Sequence, residues 1–121
     1  MEYAVFVEKA VALNERNKFE PYEGNIDIVP DEIKPFYRDY NPVRVEIGFY
    51  GVSIRFCPVK ELLELQKEYS HINAQFIFAT CNSDPIFMND RCVFTCAHGT
   101  HEPQHEKKAE SFSDYLKSLV D

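Results

Sequence analysis

The chain has 121 residues, 45% of them hydrophobic, 14% aromatic and 27% charged, with a formal net charge of -7. This length and composition fit one globular domain, 1–121, that buries roughly two-thirds of the surface its unfolded form exposes and needs neither disulfide nor metal as a staple. The acidic balance repels phosphate backbones, which argues against direct nucleic-acid binding. It suits solubility, or an electrostatic lure for a basic protein partner.

The chain opens with "MEYAVFVEKAVALNER". A secretory signal needs a basic start and an unbroken apolar core, and here Glu8 and Lys9 interrupt the apolar residues. No apolar run approaches the ~20 residues that span a bilayer. The expected location is therefore cytoplasmic, with no membrane partner and with Cys57, Cys81, Cys92 and Cys96 reduced.

Residues 2–17 place Tyr3, Phe6, Val7, Ala10, Val11 and Leu13 near the 3.6-residue period of an amphipathic helix. Pro21 and Gly24 in "FEPYEGN" predict a loop. "VPDEIKPFYRDYNP" predicts a short helix with Asp31 as N-cap and with Ile33, Phe36, Tyr37 and Tyr40 on one face. Asn41–Pro42 stops it. "VRVEIGFYGVSIRF" alternates strictly and predicts a β-hairpin with one buried face, carrying Val43, Val45, Ile47 and Phe49 and then Val52, Ile54 and Phe56. From Pro58, Val59, Leu62, Leu63, Gln66 and Tyr69 line one side of a helix. "NAQFIFAT" is apolar on both faces and predicts a central strand. "DPIFMNDRCVFTC" predicts two strands joined at Asn89–Asp90. The loop "AHGTHEPQHEKK" follows. "AESFSDYLKSLVD" closes the chain as a helix capped by Ser111, with Phe112, Tyr115, Leu116 and Leu119 as its apolar stripe. Strands that do not alternate regularly with helices predict an α+β fold, a mostly antiparallel sheet with helices packed on one face.

Chemistry-bearing residues concentrate in "TCAHGTHEPQH", which holds three of the four histidines: His98, His101 and His105. Cys92 and Cys96 lie four apart in a predicted strand, on the same face but about two residue-pairs apart, too far for two sulfurs to share one metal without a bend. They read as small buried hydrophobes and the histidines as residues of a solvated loop. No helix N-terminus follows Cys81 to activate its thiol, and the four glycines stand at no phosphate-loop spacing. No catalytic residue, metal or cofactor is expected.

Three stretches in order, "VPDEIKPFYRDYNP", "FIFATCNSDPIFM" and "AESFSDYLKSLV", resemble the SUKH superfamily over roughly residues 28–120, the last with the pattern Ala-x-Ser-Phe-x-x-Tyr-Leu. That superfamily includes fungal cell-wall-synthesis regulators and bacterial immunity proteins encoded beside toxins. Ser83 stands where the family usually has Gly, Pro42 where it often has Gly-Gly, and its common tryptophans are absent, so the resemblance is to a divergent member. It implies an α+β fold, no enzymatic activity, and binding of a protein partner. The expected function is neutralisation of a cognate toxin domain, and the expected partner is a basic one. The alternatives are a cytosolic regulatory scaffold, and a metal protein or enzyme built on the Cys/His loop 92–105. The expected partner-binding residues are acidic or imidazole side chains on loops and element ends: Glu20, Glu23, His98, His101, Glu102, His105 and Glu106.

Overall fold

The computed structural model describes residues 3–99 and 103–121. It is α+β: four α-helices and a seven-stranded antiparallel sheet among the described residues. No helix there is long and apolar enough to cross a membrane.

Helix α1 spans Tyr3–Leu13 and stops four residues short of the periodic pattern. Asn17 explains the stop. Its buried amide donates to the Ala10 carbonyl at 2.9 Å and its Oδ1 accepts from the Glu46 N–H at 2.8 Å, closing the helix end onto the sheet. The expected loop that follows instead begins with strand β1, Lys18–Glu20, paired to Asn41, Pro42 and Arg44. Phe19 earns this pairing by packing edge-on to Phe6 and Phe36.

Asp31 does not cap the second helix. A 3₁₀ turn, Asp31–Ile33, precedes α2 (Lys34–Tyr40), its cap position is Pro30, and the Asp31 carboxylate pairs with Lys34 instead. Strand β2 starts directly at Asn41, where Pro42 ends the helix, and runs to Phe49. The Asn41 side chain is buried and accepts the Val59 N–H at 2.9 Å. Strand β3 is Val52–Phe56, in register as Val45↔Phe56, Ile47↔Ile54 and Phe49↔Val52.

A second 3₁₀ turn, Val59–Glu61, leads into α3, Leu62–Glu68. A 3₁₀ turn advances each residue by 120° rather than 100°, and the apolar stripe shifts with it. Leu65 is buried and Leu63, expected in the stripe, is 57% exposed. Gln66 stays inward. Its amide donates to the Ile77 carbonyl at 2.7 Å and accepts the Ile77 N–H at 2.8 Å, replacing a strand partner where β3 has ended.

Strands β4 (Phe76–Cys81), β5 (Asp84–Asn89) and β6 (Cys92–Thr95) form a meander. The β5–β6 turn is Asp90–Arg91, one residue beyond the expected join, because Asn89 and Cys92 pair. The expected loop over 97–108 ends early: Glu106–Ala109 is strand β7, paired to β6. Helix α4 is Phe112–Val120, capped by Ser111 Oγ, which accepts from the Asp114 N–H at 3.0 Å.

The strands lie in sequence order from β1 to β7. Helices α1, α2 and α4 cover one face. There Phe36 meets Tyr3, Tyr37 and Phe112 edge-on, and Phe112 meets Phe78 of the sheet at 5.1 Å. Helix α3 flanks the opposite face beside Arg55 and Thr80. Farther along that face, fully buried Phe87 stacks on Phe94 and receives the edge of His105 at 4.8 Å.

Candidate interaction groove

The five expected partner-binding residues that are described divide between the two edges of the sheet. Glu20 ends β1 and pairs with Lys18; Glu23 is exposed in the loop beyond it. His98, His105 and Glu106 belong to the other edge, around β6 and β7. Six strand spacings, roughly 29 Å, separate β1 from β7. His101 and Glu102 lie outside the described residues.

The histidines that are described separate by function. His105 is half-buried on Phe87 and Phe94, and so belongs to packing. His98 anchors the segment after β6: its backbone N–H donates to Asp84 Oδ1 at 3.0 Å, and its ring Nδ1 lies 2.7 Å from the same oxygen. Both contacts use Oδ1, and among the described residues no donor reaches Oδ2 of Asp84. Cys96 is buried, which pushes its thiol above the ordinary range, and the Asp84 charge adds to this. Half-buried Cys92 points its sulfur toward Glu110 at 3.8 Å. Among the described residues no three His, Cys, Asp or Glu side chains converge as a metal requires.

Asp84 leads to a feature the sequence did not reveal. On the helix-covered face, at the ends of the β2–β3 and β4–β5 hairpins, a groove of about 290 Å³ opens. Register places its floor: Ile54 lies opposite Cys81, which lies opposite Asp84, while Ile86 lies opposite Thr95 and Thr95 opposite Glu106. Phe49 and Val52 form one wall and Tyr115 of α4 another. No other helical residue lines it, so the three helices stop short of this end of the sheet. Burial, with the Cys81 thiol beside it, raises the Tyr115 phenol well above its ordinary value. Asp84, Glu106 and Lys108 form a charged rim, with Lys108 Nζ 3.1 Å from Glu106 Oε1.

Other depressions lie elsewhere on the surface, among them a smaller one of about 190 Å³ beside Tyr3, Glu32, Met88 and Phe112. One, of about 300 Å³ between α3 and the sheet, is lined by Arg55, Glu61, Glu64 and Glu68 together with Cys57, Leu65 and Thr80. Another, of about 330 Å³, lies beside Leu13, Asn14 and Ser53. The groove combines an apolar floor with a few placed polar groups, as ligand sites do.

Next to its wall stands Tyr50, at the tip of the β2–β3 hairpin. It is 93% exposed, and its ring meets Phe49 edge-on at 4.7 Å. Tyr50 and Gly51 are the two turn residues, with φ of 50° and 81°. A two-residue turn of this kind favours Asn-Gly, and a bulky side chain at the first position costs about 1 kcal/mol or more. The other two such turns use Asn82–Ser83 and Asp90–Arg91, which start with residues that tolerate the left-handed region. Tyr before Gly in a hairpin was the signal available in the sequence.

Cys81, Asp84 and His98 gather at one end of the groove, but the His98 ring meets Asp84 and not Cys81. The nucleophile–base contact of thiol catalysis is not formed. Comparison of the chain with family models, curated proteins and solved structures returns no match.

Proposed function

We propose that the chain is a non-enzymatic protein-binding domain of immunity type, which acts in the cytoplasm by binding and neutralising a cognate toxin domain. The observation that carries the binding reading is the apolar groove with exposed Tyr50 beside it. An aromatic held outside the core in a disfavoured backbone conformation contributes little to folding, whereas Tyr beside a concave apolar surface is typical of a binding hot spot. The resemblance to SUKH immunity proteins supplies the kind of partner. The charge of -7 makes a basic partner the favoured one.

The test is co-expression with the product of the adjacent reading frame, followed by purification and a toxicity assay. A stable complex and rescue from toxicity are expected. A complex that forms with cellular regulatory proteins instead, without any rescue, places the chain among scaffolds.

A further inference from the structure

We propose that the groove seats an arginine side chain of the protein partner, with its aliphatic stem on the half-buried Val52 and Cys81 and its guanidinium at Asp84. This rests on the protein-binding reading and names what fills the site.

The groove selects against a wholly polar group, since the half-buried Phe49, Val52 and Cys81 would be covered without gain. The rim selects against an anion, because Asp84 and Glu106 outnumber Lys108 and the whole chain is acidic. A neutral apolar group fills the floor but takes water from the Asp84 carboxylate without replacing it, which is unfavourable. A cation on an apolar stem satisfies both, and Oδ2 of Asp84, which accepts from none of the described residues, is the acceptor it needs. Arginine is favoured over lysine because its guanidinium is more weakly hydrated than an ammonium and presents a fork of donors to a carboxylate.

The experiment is a heteronuclear NMR titration of the full chain with three blocked tripeptides, Gly-Xaa-Gly, where Xaa is arginine, lysine or citrulline. Citrulline keeps the shape of arginine and removes its charge. The arginine peptide is expected to give saturable shifts at the Ile54, Cys81 and Ile86 amides, with roughly tenfold weaker binding for citrulline and an intermediate value for lysine. Asp84→Asn is expected to bring the arginine peptide down to the citrulline level. Equal binding of arginine and citrulline, shifts confined to residues outside the groove, or no saturable shift overturns the proposal. If the toxin complex forms while the arginine peptide leaves the groove unshifted, the functional reading stands and this assignment falls.

Discussion

Tyr37 is the clearest oddity at the scale of one residue. Its hydroxyl is buried with no hydrogen-bond partner among the described residues, and burial, with Cys57 and Tyr3 nearby, raises its ionisation well above the ordinary range. Leaving a buried donor unpaired costs ~1–3 kcal/mol. Tyr37→Phe is therefore expected to raise the urea midpoint, by about 1 kcal/mol of stability; a lower midpoint would mean the hydroxyl has a partner. Tyr50 makes the opposite trade. Tyr50→Asn places a residue suited to the turn and is expected to stabilise by about 1 kcal/mol while weakening partner binding. Cys57 sets a pH dependence. Burial pushes its thiol up to about 12 from an ordinary value near 9. A folded-state pKa above the unfolded one contributes stability that is full below the unfolded value and is lost as pH rises through the folded one. Stability is thus expected to decline between pH 9 and about 12, and Cys57→Ala to flatten that decline in denaturation curves measured across the range. An unchanged slope would show that the tyrosines alone set it.

At the scale of elements, Phe112 shows how α4 is held. It is buried, with ring contacts to Tyr3, Phe36 and Phe78. Phe112→Ala is expected to cost ~3–5 kcal/mol, read from the urea midpoint; a midpoint equal to wild type would make α4 a loose appendage. The strands with one buried face were legible because alternation records burial: Val45, Ile47, Ile54 and Phe56 all point into the core. Strands β1 and β7 were not legible for the same reason. Each lies at a sheet edge, and β7 is Glu-Lys-Lys-Ala, whose charged residues guard the edge and show no apolar period. The reading of α3 failed only in phase, at Leu63, because a 3₁₀ turn cannot be distinguished from an α-turn by apolar spacing. The groove was illegible because it arises from register. Asp84, Cys81 and Ile54 become neighbours only once three strands align. The acidic residues were visible in the sequence, but their division between opposite edges depends on the strand order.

At the scale of the molecule, that division limits what a partner can touch. Glu20 and Glu23 stand roughly 29 Å from the β7 edge, so a partner seated in the groove meets Glu106 and Asp84 directly and the others at most through the long-range field. The charge of -7 is expected to act mainly on encounter. Association with a basic toxin domain should slow steeply with added salt while dissociation changes little; a salt effect confined to dissociation would remove steering from the account. The central claim is that the chain acts by binding a protein through the groove and Tyr50. The most direct measurement is the dissociation constant of the complex with the adjacent reading frame's product, for wild type and for Tyr50→Ala, with urea midpoints taken on both. The account predicts a loss of about tenfold or more in affinity, the size of a hot-spot truncation, with the midpoint undiminished. Equal affinity for the two proteins would contradict it.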